Sequence, residues 1–251
     1  MLNIKLLNKT DSSASFLVKG TNNSFINALR RTIMADVSVL AIEDVTFYEN
    51  SSIMFDEFLA HRLGLLPIKT DLKTYKEDEK VTLILEKEGP CTVYSKDIKS
   101  VDPKIEVVDK NIPLLELKKG QRVKIEMDAV MGKGRTHSKF QPAIVGYKNL
   151  PVITESKPFK EIKKAAEICP TKVLEIKANK IVFTDATGCT MCGECMTFAK
   201  EKDALKIEYD KNAFIFNIES CGGLSNKEIL EKTAQILQEK VELLKKEVNA
   251  L

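Results

Sequence analysis

The sequence predicts an α+β fold with helix-bearing ends and a strand-rich middle. Three observations carry this: an apolar stripe at helical spacing near the N-terminus, short apolar runs broken by turns from about residue 41, and a capped amphipathic stretch that closes the chain. A compositionally separate segment, residues 157–210, holds four of the six cysteines.

At the N-terminus Ile4, Leu6, Phe16 and Val18 alternate with polar residues about the turn-rich Asn8-Lys9-Thr10-Asp11-Ser12-Ser13, which predicts a β-hairpin. Asn22, Asn23 and Ser24 offer N-caps, because their short side chains can accept bonds from the free amides of a first turn. Phe25, Ile26, Leu29, Ile33 and Val37 then follow on one helical face, with Arg30 and Arg31 off it. Val45–Tyr48, Val81–Leu85, Lys104–Val108 and Val123–Met127 read as strands. One helix interrupts them, Asp56–Leu63, stopped by Gly64 and Pro67.

Gly222 and Gly223 end the middle of the chain, and Ser225-Asn226-Lys227-Glu228 is a capping box. Behind it Ile229, Thr233, Ile236, Leu237, Val241, Leu244 and Val248 keep one apolar face along a long terminal helix. Two ends that each carry an amphipathic helix and flank an insert suggest a discontinuous domain. Its helices pack together and offer a surface to a partner, although plain core packing explains the same periodicity equally well.

Composition narrows the function. The 251 residues suffice for two domains, and 43% apolar with 30% charged residues is an ordinary globular balance. Lys plus Arg number 39 against 36 Asp plus Glu, interleaved rather than clustered, so charge does not support direct nucleic-acid binding. The apolar run Val37–Ile42 is far too short to span a bilayer, and Met1-Leu2-Asn3-Ile4-Lys5 lacks the pattern of a signal peptide. A cytoplasmic protein is expected, and there clustered cysteines are more often metal ligands than disulfides.

Cys189-Thr-Met-Cys192-Gly-Glu-Cys195 is the strongest chemical signal. Bacterial-type ferredoxins carry C-x2-C-x2-C-x3-C-P, in which the last cysteine ligates the other cluster. Here that last position is Ala199, while an isolated Cys169-Pro170 stands upstream. The two losses are complementary, so one [4Fe–4S] cluster is expected on Cys169, Cys189, Cys192 and Cys195, degrading to [3Fe–4S] on oxidation. The strands at Val173–Ile176 and Ile181–Phe183 would then belong to a ferredoxin-like βαβ half. A structural zinc site and a thiol redox pair compete with this reading; zinc prefers two separated C-x2-C pairs, and a dithiol leaves Cys169 without a role. Cys91 and Cys221 have no partner spacing and read as small buried side chains.

A search for catalytic groups finds little. The two histidines, His61 and His137, lie outside H-E-x-x-H, and His61 reads as a packing or interface residue. Gly132-Lys133-Gly134-Arg135-Thr136 lacks the spacing of a phosphate loop and reads as a turn. No aspartate cluster suits two-metal nucleotidyl transfer. The chain is expected to catalyse nothing alone.

Several blocks, in order, resemble the α-like subunits of RNA polymerase. They are Asn27-Ala28-Leu29-Arg30-Arg31, Ala41-Ile42-Glu43-Asp44-Val45, the run from Asp56 to Ile68, and Gly132 to Ala143. With its cysteine segment the chain resembles the archaeal D subunit. That resemblance implies a discontinuous dimerisation domain over 1–43 and 222–251, an insert domain over 44–156 and a ferredoxin-like iron–sulfur domain over 157–221. It implies the small subunit L as partner, and recruitment of subunits N and P and the second-largest subunit. The interface residues it implies are Phe25, Leu29, Arg30 and Ile33 with Ile236, Leu237, Val241 and Leu244. The competing assignment is a ferredoxin-like electron-transfer subunit of a redox complex.

Overall fold

A computed structural model describes residues 2–75, 79–199 and 204–250. The chain opens with β1 (Asn3–Lys9), β2 (Ser13–Lys19), α1 (Asn23–Asp36), β3 (Ser38–Asn50) and α2 (Asp56–Gly64). It continues through β4 (Lys80–Glu88), β5 (Cys91–Tyr94), β6 (Lys99–Ser100), β7 (Pro113–Leu117), β8 (Arg122–Lys133) and β9 (Ala143–Ser156). It ends with α3 (Ile162–Glu167), β10 (Leu174–Lys177), β11 (Lys180–Phe183), α4 (Glu194–Thr197), β12 (Leu205–Ser220) and α5 (Asn226–Asn249). Leu251, the last residue of the expected terminal helix, lies outside the described residues.

These elements form two compact units. One unit combines residues 1–8, 15–27 and 146–217, and the other combines 9–14, 28–145 and 218–251.

In the second unit the sheet order is β3-β8-β4-β6, with β8 antiparallel to both β3 and β4. Strand side chains alternate between faces, and β8 shows it plainly: Val123, Ile125, Met127, Ala129 and Met131 all point inward and are buried. Val81, Leu83 and Leu85 of β4 join them, and α2 covers the layer with Leu59 and Leu63, both fully buried. Each of the larger side chains among these, Val, Leu, Ile or Met, contributes about 1.5–3 kcal/mol by leaving water. The opposite face is polar and ion-paired, as in Lys124 with Glu86 and Lys80 with Asp44 and Asp128.

In the first unit β1, β2, β12 and β9 form one sheet in that order. The expected N-terminal hairpin is present, with a turn in which the Thr10 amide donates to the Ser13 carbonyl at 2.8 Å. β1 is an edge strand exposed along its length, so Ile4 and Leu6 remain in solvent. A small core of Ile162, Ala165, Ile181, Cys195, Ala199, Leu205 and Ile207 gathers α3, α4, β11 and the start of β12.

Four local expectations need correction. Residues 104–108 form no strand but a turn with one isolated bridge, Ile68 to Val107. Pro103 has no amide to donate, and Asp102 pulls the chain round by accepting from the Lys104 and Ile105 amides. The strands near residues 173–183 are no βαβ half: β10 and β11 pair antiparallel about Ala178 and Asn179, both in the left-handed region. That backbone matches a tight hairpin turn. Cys221 is exposed at the turn after β12, and Cys91 is only half-buried. Ile33, expected at a partner surface, is fully buried within the chain.

Candidate functional site

The helix α5 is capped as predicted: the Ser225 hydroxyl accepts from the Glu228 amide, and the Glu228 carboxylate accepts from the Ser225 amide at 2.9 Å. Asn226, Ile229 and Thr233 are buried, and Ile236 and Leu237 are half-buried. From Gln238 to Ala250 every residue is exposed, including Val241 (54%), Leu244 (63%) and Val248 (57%). The apolar stripe thus runs from core to solvent along a single helix.

At α1 the Phe25 amide donates to the Asn22 side chain at 2.9 Å, which makes Asn22 the N-cap. Ile26, Ile33 and Val37 are buried, Leu29 and Arg30 are half-buried, and Phe25 is exposed. Of the eight expected interface residues, Phe25, Val241 and Leu244 present the most open apolar surface.

Sequence reading missed Asp36, the last residue of α1. Its buried carboxylate accepts from Arg135 on Oδ1 and from Lys240 on Oδ2. Burial pushes this carboxyl up, but the bonds and charges of Lys240 and Arg135 outweigh it and hold the group below the usual range. The turn carrying Arg135 is itself docked on α1, with the Arg135 amide donating to the Ala35 carbonyl at 3.2 Å. The signal available in sequence was an acid at a helix end, where the dipole disfavours it.

Also missed was an exposed apolar knob, Ile53, Phe55 and Phe58, beside the start of α2. Asn50 braces its base, donating to the Met54 carbonyl and to Asp56 at 2.9 and 2.7 Å. His61 and His137 line one cleft with Glu43 and Lys139. His137 Nδ1 accepts from the Lys139 amide, and Lys139 Nζ lies 2.5 Å from Glu43, so these groups hold the loop.

Cys169, Cys189, Cys192 and Cys195 line one small cavity together with Met191, Met196 and Ile207. Cys189 Sγ accepts from the Met191 amide at 3.4 Å, and Cys169 Sγ sits 3.5 Å from Thr171 Oγ1. Burial, then the neighbouring sulfurs, pushes the Cys195 thiol up to about 11. Among the described residues, no group of three or more His, Cys, Asp or Glu side chains is arranged to hold a metal ion.

Comparison with known proteins gives a consistent answer. The profile of the RNA polymerase Rpb3/RpoA insert domain matches residues 45–147. The chain is 37% identical to DNA-directed RNA polymerase subunit Rpo3 of Methanosarcina acetivorans, covering 96% of each chain. It is 36% identical to subunit Rpo3 of Pyrococcus furiosus, covering 100% of this chain and 98% of that relative. Subunit Rpo3 of Halobacterium salinarum is 37% identical over 98% of this chain and 96% of the relative.

These findings bring two corrections. The relatives are named subunit Rpo3, which replaces the designation D suggested by the motif blocks. The [4Fe–4S] expectation is withdrawn, since among the described residues no group of three or more His, Cys, Asp or Glu side chains is arranged to hold a metal ion. The ferredoxin-like electron-transfer alternative is not favoured, because nearly the full length matches polymerase subunits. By that near-complete coverage, the chain belongs to the family of DNA-directed RNA polymerase subunit Rpo3.

Proposed function

We propose that this chain is an assembly platform of the polymerase, docking onto the small subunit L through the outer half of α5. As an Rpo3 family member it is a non-catalytic subunit of DNA-directed RNA polymerase, a nucleotidyltransferase complex that performs transcription. The finer assignment is that the chain ends, 1–43 with 222–251, supply the dimerisation surface. Residues 44–156 then help receive subunits N and P and the second-largest subunit, all in the cytoplasm.

The observation that carries this reading is the exposed row Val241, Leu244 and Val248 on a well-capped helix. Burying each such side chain against a partner contributes about 1.5–3 kcal/mol, and a preformed helix spares the partner the cost of ordering it. The test is titration of the full-length chain with subunit L, beside a variant carrying Val241→Asp and Leu244→Asp. A one-to-one complex is expected for the unaltered chain, weakened roughly a hundredfold or more in the variant. Equal affinity of the two chains would place the docking surface elsewhere.

A further inference from the structure

Within its unit α5 is anchored near one end. Asn226, Ile229 and Thr233 are buried, and Asn226 Nδ2 donates to the Ser12 carbonyl at 3.0 Å. Residues 238–250 are all exposed. A helix held at one end opens most readily from the other, and an arm that frays or swings makes any partner bear the cost of ordering it.

Lys240 stands inside this exposed part, one residue before Val241, and its ammonium reaches Asp36. The partner is no ordinary surface carboxylate, because the Asp36 side chain is only 9% exposed. It ends α1, where unpaired carbonyls and the helix dipole make a negative charge unfavourable unless cations answer it. Two cations answer, from positions 99 and 204 residues away in the chain. Their roles differ. Arg135 belongs to the turn already bonded to Ala35 and keeps the carboxylate compensated within the body of the unit. The tie from that carboxylate to α5 runs through Lys240.

We infer that Lys240 is a positioning residue: its ion pair with Asp36 latches the exposed half of α5 in the direction in which the partner receives it. This deepens the docking role proposed above and rests on it. The latch is separable from the fold, since Lys240 is half-exposed and Arg135 still compensates Asp36 when Lys240 lets go. Val241 lies next to the latch and Leu244 one turn beyond it, so the direction set at Lys240 is the direction of the apolar row.

The experiment is hydrogen–deuterium exchange on the full-length chain, followed by titration with subunit L. It compares the unaltered chain with Lys240→Gln, Lys240→Arg and Arg135→Gln. In Lys240→Gln, exchange over 238–250 is expected to rise roughly three- to tenfold, the scale of a half-exposed ion pair. Exchange over 226–233 and the melting temperature should stay as they were, and L affinity should fall by a similar factor. Lys240→Arg should restore both readouts, and Arg135→Gln should leave exchange over 238–250 unchanged. Unchanged exchange in Lys240→Gln would overturn the latch, as would an equal rise in Arg135→Gln. Faster exchange with undiminished L affinity would also overturn it, by showing that the pair does not position the arm for binding. Should the unaltered chain not bind L at all, the docking role fails, while exchange still decides whether the latch exists.

Discussion

Asp36 and Lys240 form an ion pair that joins the end of α1 to the exposed half of α5, across 204 positions of sequence. Arg135 completes the cluster on the second carboxylate oxygen. One acid thereby ties together a helix end, a turn and the helix proposed to meet a partner.

Asp36 gives the cluster a pH dependence. Burial opposes ionisation, but Lys240 and Arg135 win, so the folded-state pKa lies below the ordinary value of 3.8. A depressed carboxylate pKa stabilises the fold above the unfolded value, and that contribution is lost as pH falls through the folded value. Asp36→Asn should therefore cost about 1–3 kcal/mol at neutral pH. In urea unfolding the gap to the unaltered chain should narrow from about pH 4 downward. A gap of constant size at pH 7 and pH 3 would show that packing, not charge, is what Asp36 supplies.

Gly134 tests the docking of the Arg135 turn on α1. A Cβ at this position would fall on the Met34 carbonyl oxygen, with Gln141 Cγ also 3.0 Å away. The requirement is for space, and backbone on the other side cannot easily yield. Gly134→Ala should destabilise by about 1–3 kcal/mol, the usual cost of overpacking. Thermal unfolding followed by circular dichroism would measure it; an unchanged melting temperature would mean the turn shifts freely.

Ser225 tests whether the cap supports the terminal helix. It satisfies the Glu228 amide, and Glu228 returns a bond to the Ser225 amide. Ser225→Ala should cost about 1 kcal/mol, and Ser225→Asp should recover most of it. Because the adjacent turns hold the buried anchors Ile229 and Thr233, the loss should appear in global urea unfolding. If only exchange at the far end of α5 changed, the cap would be acting locally.

Much of this protein was legible without coordinates, and the reasons are local. An N-cap among Asn22, Asn23 and Ser24, the Ser225–Glu228 box, a helix from Asp56 to Leu63 and a strand through Val123–Met127 follow from side chains acting within a few residues. The ordered motif blocks were likewise enough to point to the polymerase α-like subunits, which the relatives bear out under the name Rpo3. The stretch at 104–108 misled because its apolar residues alternate, while Asp102 and Pro103 impose a turn that periodicity does not register.

What the sequence by itself determined was which residues share a face, since 3.6-residue and two-residue spacings are properties of the backbone. Only the tertiary structure decided which faces are covered. Ile33 and Val241 both sit on apolar helical stripes, yet one is fully buried and the other is 54% exposed. Burial depends on what packs against a face, and those neighbours come from distant segments. The same holds for Asp36, whose two cations are brought to it by the fold from far along the chain.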